Sequence, residues 1–228
     1  MATLIKSTPK MNKTYFLLLV ATTLLFVTKS FSQSRYNDYN RLGITAGIHQ
    51  FDITTNDLVT TKGTGFHGGL STRGTVGKHF DMVYFLHLNR HEINMLGREN
   101  TILTTTVEEI PMKLLAAKLG VLGSYKLGGN HFSIEFGPVL QLSDKFELES
   151  TFEDYILEGY DTFTAKDARK TSNINVNGII GFSAGFETFK ISVQYEYGFT
   201  NVLSKLTVDN KTLKGNTTQL SGSATFYL

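Results

Sequence analysis

The stretch KISVQYEYGF, Lys190 to Phe199, decides how this chain folds. Ile191, Val193, Tyr195, Tyr197 and Phe199 share one parity, and Ser192, Gln194, Glu196 and Gly198 share the other. A period of two is that of a β-strand with one apolar and one polar face. A soluble sheet buries the apolar face in its core. A membrane barrel turns it to lipid and lines its interior with the polar face. The surrounding sequence selects between the two.

Seven further segments carry the same alternation, so strands are predicted at 41–52, 64–74, 78–90, 108–126, 131–146, 173–186, 189–202 and 216–228. The least strand-like is PMKLLAAKLGVLGSYKL (Pro111–Leu127), whose Leu and Ala content also suits a helix. The connections alternate in length. GTVGK (Gly74–Lys78), LGGN (Leu127–Asn130) and Glu187-Thr188 are short, whereas 53–63, 91–107, 147–172 and 203–215 are long. An even strand number with turns short at one end and long at the other is the pattern of an outer-membrane barrel. The expected fold is all-β: an eight-stranded antiparallel up-and-down transmembrane β-barrel over 41–228, with both termini on the short-turn side.

Parity sharpens this choice. Phe80, Met82, Tyr84, Leu86 and Leu88 alternate with Asp81, His87 and Asn89; Phe132, Ile134, Phe136 and Leu140 alternate with Ser133, Glu135, Gln141 and Ser143. The polar parity carries Asp81, Lys118, Glu135 and Glu196 in mid-strand. A basic residue facing lipid at mid-depth costs about 2–4 kcal/mol, so this parity is assigned to the interior. Asp81, Lys118, Glu135, Gln194 and Glu196 are expected to form a polar network in the lumen. An eight-stranded barrel is just filled by its own side chains, which favours a packed plug over a solute pore or a proton path. On the opposite parity, Phe80, Tyr125, Phe132, Phe186, Phe189 and Phe226 all lie near short turns or the C-terminus. They are expected to form an aromatic girdle at the periplasmic interface, with Phe66 and Phe199 at the other rim. The rings of KISVQYEYGF then face lipid.

The first 32 residues read as a cleaved signal peptide: Lys6, Lys10 and Lys13, then the apolar run YFLLLVATTLLFV (Tyr15–Val27), then SFSQ (Ser30–Gln33) with cleavage after Ser32. Met11 also begins a complete leader. Residues 33–40 form a short segment before the barrel. Composition agrees with an exported strand protein. Of 228 residues 18% are charged, the net charge is +2, and 21 glycines stand against 3 prolines. A balance this mild argues against a nucleic-acid partner. With no cysteine, disulfides and thiolate chemistry are excluded.

Several stretches also resemble the PorT-like outer-membrane β-barrel proteins of Bacteroidetes. They are RLGITAGIHQFDI (Arg41–Ile53), GFHGGLSTRGTVGKHFDMVYFLHL (Gly65–Leu88), EIPMKL (Glu109–Leu114), IEFGPVLQL (Ile134–Leu142) and VQYEYGFTNV (Val193–Val202). The resemblance is one of Gly and aromatic positions and covers nearly all of the mature chain. It implies an eight-stranded barrel in the outer membrane of a Gram-negative cell, in a family some of whose members are associated with protein secretion and gliding. It carries over no catalytic residue.

His49, His67 and His87 share the inward parity toward the long-loop end, and His91 follows His87 by four residues. Neighbouring imidazoles can bind a transition metal, but no ligand-spacing motif supports a site, and hydrogen bonding within a polar lumen is the simpler reading. No cofactor is expected. The longest loop, ELESTFEDYILEGYDTFTAKDARKT (Glu147–Thr171), interleaves Phe152, Tyr155, Tyr160 and Phe163 with charge. Such rings either form a partner site or pack on each other. No GxSxG, HExxH or P-loop signature is present in a supporting context. The expected function is non-enzymatic: a structural or interaction barrel whose partners are outer-membrane lipid and envelope or secretion-system proteins. The alternatives are a barrel enzyme acting on lipid or peptide at the loop rim, and a secreted lipocalin-like barrel with an apolar interior.

Overall fold

The computed structural model describes residues 40–101 and 106–228. The expected leader and all but the last residue of segment 33–40 lie outside the described residues. Twelve strands are described: β1 (Asn40–Thr54), β2 (Thr60–Gly77), β3 (Phe80–Arg98), β4 (Val107–Gly128), β5 (Phe132–Ser143), β6 (Glu147–Leu148), β7 (Ile156–Leu157), β8 (Ile174–Gly185), β9 (Phe189–Gly198), β10 (Thr207–Val208), β11 (Lys211–Thr212) and β12 (Asn216–Tyr227). Eight are staves. Their order, β4-β5-β8-β9-β12-β1-β2-β3, closes because β3 also pairs with β4, and every pairing is antiparallel. Closure leaves the eight described staves without a free edge between them, as a lipid environment demands.

Period two puts every stave's odd and even residues on opposite walls. In β9, Ile191, Val193, Tyr195 and Tyr197 are exposed while Lys190, Ser192 and Glu196 are buried. Ile48 at 73%, Leu88 at 69% and Phe182 at 63% accessible would be untenable on a water-facing wall of this extent. A stave such as β8, with 12 residues, is roughly 40 Å long, or roughly 28 Å along the axis when tilted ~45°. That matches an apolar band of about 25 Å.

The barrel extends further than the sequence reading placed it. β2 begins at Thr60 and β3 runs to Arg98, so much of 53–63 and 91–107 is strand rather than loop. The period is unbroken there but its polarity inverts. Ile93 and Met95 point inward, and Arg90, Glu92 and Asn94 outward. Beyond the lipid boundary the outer wall meets water and the inner wall packs an apolar core. That core joins Phe51, Ile53, Ile93, Met95, Ile110, Met112 and Leu114 of the staves to Phe146, Phe163, Ala165, Leu203, Leu206 and Leu213 of the two longest connections. For the same reason β5 and β9 stop at Ser143 and Gly198, short of the expected 146 and 202. Phe146 and Val202 leave the wall to fill the cap.

The connections are tied to the wall. β6 adds to β4 and β7 to β3. β10 and β11 make a hairpin whose turn residues Asp209 and Asn210 take φ of 49° and 61°. Asp and Asn tolerate this left-handed conformation better than other non-glycine residues, which suits them to a two-residue turn.

Candidate functional site: the lumen and its cap

Inward positions form three tiers. Nearest the short turns, Arg73 gathers a charged cluster. Its Nη2 bonds Glu135 Oε1, its Nη1 donates to Ser124 Oγ at 2.8 Å and lies 3.4 Å from Asp81 Oδ2, and its Nε donates to the Tyr227 hydroxyl at 3.3 Å. Lys126 Nζ sits 2.7 Å from Asp81 Oδ1. Ser183 Oγ and Gln194 Nε2 donate to the two Glu135 oxygens at 2.8 and 3.0 Å. Isolated buried charges would be untenable, but each carboxylate here faces a cation and further donors.

The middle tier turns on Lys118. Its Nζ donates to Glu196 Oε1 at 2.7 Å, to Glu196 Oε2 at 2.9 Å and to Gln219 Oε1 at 2.8 Å, which uses all three of its protons. Asn177 donates to both Glu196 and Gln141 Oε1. Beside this tier Val83, Phe85, Leu122, Val139 and Ile179 form an inward apolar layer.

The third tier is a ladder of imidazoles. His91 Nδ1 lies 2.8 Å from His49 Nε2, and His49 Nδ1 lies 3.4 Å from His67 Nδ1. His87 Nε2 lies 3.3 Å from Ser71 Oγ, which continues to Thr45 and Thr225 at 2.8 Å each. His91 stacks on Phe51 and His87 on Phe85, with centroids 4.3 and 4.4 Å apart. The nitrogens of His91, His49 and His67 bond along one chain, while His87 bonds Ser71 and meets His67 only through ring contact. Among the described residues no group of three or more His, Asp or Glu side chains is placed to hold a metal ion.

The five lumen residues named from parity thus fall into two tiers: Asp81, Glu135 and Gln194 in the lower, Lys118 and Glu196 in the middle. Sequence reasoning missed Arg73, the centre of the lower tier, and Lys126, whereas Asn177 and Gln219 lie on the parity assigned to the interior without having been named in the network. The available signal was that Ser71 and Arg73 share the parity of His67. Phe80, Tyr125, Phe132, Phe186, Phe189 and Phe226 all lie on the outer wall near the short turns, with Phe80 in register with Tyr125 and Phe189 with Phe226.

The loop rings are placed differently from a displayed row. Phe163 is buried in the cap, and Phe152, Tyr155 and Tyr160 pack against it, with Phe152–Tyr155 and Tyr160–Phe163 meeting edge to face at 5.2 Å. The Tyr160 hydroxyl donates to Asp57 O at 2.6 Å, and burial pushes its pKa up. What the cap offers outside is polar. A hydrogen bond from Lys166 holds Glu153 below the usual carboxylate range.

This arrangement can fill, stiffen and close a barrel. An apolar cap seals the long-loop end and a salt-bridged plug the other. The charged interior is the opposite of a lipocalin's apolar cavity. His87 bonds Ser71 inside the wall. The exposed apolar wall makes the chain an integral membrane barrel.

No family model and no curated protein matches the sequence. Among solved structures, the chain is similar to Neisserial surface protein A at 12% identity and a TM-score of 0.48, covering 81% of this chain and 96% of that one. It is similar to Ail, the attachment invasion locus protein of Yersinia pestis, at 15% identity and a TM-score of 0.46, covering 83% and 99%. It is also similar to the outer membrane protein OprG of Pseudomonas aeruginosa at 10% identity and a TM-score of 0.44, covering 86% and 99%.

Proposed function

We propose that this chain is a non-conducting, non-enzymatic barrel of a Gram-negative outer membrane. On this reading it serves as a rigid scaffold that presents its capped loop end to envelope or secretion-system proteins. The single observation that carries the reading is the pairing of a lumen filled by salt bridges with an apolar cap over its long-loop end. A transport barrel keeps an open path, and a surface enzyme keeps a reactive group at its rim. This one fills its interior with internal contacts and leaves a polar, tethered cap as its outward surface. Kinship with the PorT-like barrels is part of the proposal. It is supported by the Gly and aromatic positions of Arg41–Ile53 and Gly65–Leu88.

The test is twofold. Reconstituted protein should be heat-modifiable on gels and silent in planar bilayers. Cross-linking from Thr162→Cys in native membranes should capture envelope proteins that Gly129→Cys, in a short turn, does not. Stable single-channel conductance, or lipid hydrolysis that survives purification, would contradict it.

A further inference from the structure

The basic residues of the outer wall are not spread around the barrel. β5, β8 and β12 contain no lysine or arginine, and Lys190 of β9 points inward. Arg41 of β1 pairs with Glu187 beside the short turns, and Arg98, at the far end of β3, lies 3.6 Å from Asp161. The others that face outward are Lys62, Arg90 and Lys113, on the adjacent staves β2, β3 and β4. Among the described residues none of these three takes part in an ion pair or a side-chain hydrogen bond. Arg90 is the first charge above the apolar belt, the outward residue of β3 after Leu88. One row higher, Lys113 stands in register with Glu92 on one side and Glu147 on the other, and Lys62 with Ile93. An apolar groove of about 610 Å³ opens just below, among Ile48, Phe66, Val193 and Leu220, and its long-loop end reaches Arg90. The groove exists because Gly222 has no side chain, and a Cβ there would meet nothing within 4 Å.

We propose that the groove and the two rows above it bind one phosphorylated glycolipid of the outward leaflet. The acyl chain fills the space over Gly222 and gains the contacts a void forfeits. The Arg90 guanidinium meets the headgroup first and presents a planar fork to two phosphate oxygens. The next row sets Lys62 and Lys113 against Glu92 and Glu147, so its charge is balanced. Such a row selects neither an anion nor a cation. It suits sugar hydroxyls, which accept from an ammonium and donate to a carboxylate. The order along the wall is thus apolar, cationic, then mixed donor and acceptor. The order along an acylated sugar phosphate is the same. The site rests on the membrane reading proposed above, in which the long-loop end faces outward.

The experiment places the full barrel in nanodiscs that hold lipid A, its dephosphorylated form and phosphatidylglycerol in equal parts. Native mass spectrometry identifies the lipid retained on release. Wild type should retain lipid A above both of the others. Arg90→Ala should lower that retention about three-fold, the scale of a part-exposed ion pair, and leave the dephosphorylated form unchanged. Lys62→Ala with Lys113→Ala should lower retention of both glycolipids. Gly222→Leu, which has room for its side chain, should fill the groove and abolish the preference. Inorganic phosphate should not displace the lipid, because it has neither chain nor sugar; displacement by it would reduce the site to a bare anion contact. Equal retention of lipid A and phosphatidylglycerol, equal retention of lipid A and its dephosphorylated form, or a preference indifferent to Arg90→Ala and Gly222→Leu would overturn the site. Nanodiscs offer the same lipids in both leaflets, so the result does not depend on sidedness. Heat-modifiable mobility of each sample reports insertion separately. A barrel that never enters the bilayer contradicts the membrane reading and the site together.

Discussion

His49 lies across the backbone of Gly65, directly opposite it in register, so that a Cβ on Gly65 would stand 2.3 Å from His49 Nε2. The relation recurs around the lumen. Gly47 faces His67, whose Cε1 would be 2.5 Å from a Cβ, and Gly120 faces Phe85 at 2.1 Å. Each ring occupies the space that a side chain on the next stave would need.

Gly65→Ala and Gly47→Ala should therefore each destabilise the barrel by about 1–3 kcal/mol, the usual cost of overpacking. Gly77→Ala, with nothing within 4 Å of its Cβ, is the control. Urea unfolding in lipid vesicles measures all three. Because the Arg90 carbonyl oxygen would stand equally close, 2.3 Å from that Cβ, His49→Ala combined with Gly65→Ala should regain only part of the loss. A double variant no better than Gly65→Ala alone would mean that the ring is not what the methyl group meets.

Lys118→Met should cost about 3–5 kcal/mol, because it leaves Glu196 buried without its cation. Glu196 would keep only the Asn177 amide. Lys118→Met with Glu196→Gln removes both charges and should recover most of that stability in the same unfolding assay.

At the rim, Asp57 accepts a hydrogen bond from Lys211 Nζ and another from the Lys214 amide, each 2.8 Å long. These bonds, the side-chain bond first, hold its pKa below the ordinary 3.8. A depressed carboxyl stabilises the folded rim fully above its unfolded value and loses that contribution as pH falls through the folded one. Hydrogen exchange at the Lys214 amide should hence accelerate, relative to its intrinsic rate, as pH drops below about 4. Asp57→Asn should remove this dependence.

Sidedness follows from the sorted connections. In intact cells Thr162→Cys, on the long-loop side, should react with an impermeant maleimide, and Gly129→Cys, in a short turn, should not. The reverse pattern would invert the barrel.

The staves were legible because lipid imposes one rule on every outward residue within the apolar belt. Where lipid ends, the rule reverses: Ile93 and Met95 keep the period of β3 but change its sign, and a reading tuned to apolar-outward residues takes them for loop. Arg73 was hidden for a related reason. Its stretch is rich in glycine, and Gly68, Gly69 and Gly74 carry no parity to show which way a neighbour points. The cap was illegible locally. Phe146, Phe163 and Leu203 are far apart in sequence and meet only because ring closure brings their connections over the same mouth.

The membrane account is tested most directly at two neighbours in the stretch that opened the reading. Val193 is 54% accessible on the outer wall, whereas Gln194 points inward and donates to Glu135. Nitroxide labels on Val193→Cys and Gln194→Cys, in the barrel reconstituted in a bilayer, can be tested for relaxation by dissolved oxygen, which concentrates in lipid. The label at 193 should be strongly relaxed and the label at 194 protected. Equal protection at 193 and 194 would place the apolar face inside protein, and the transmembrane barrel would not stand.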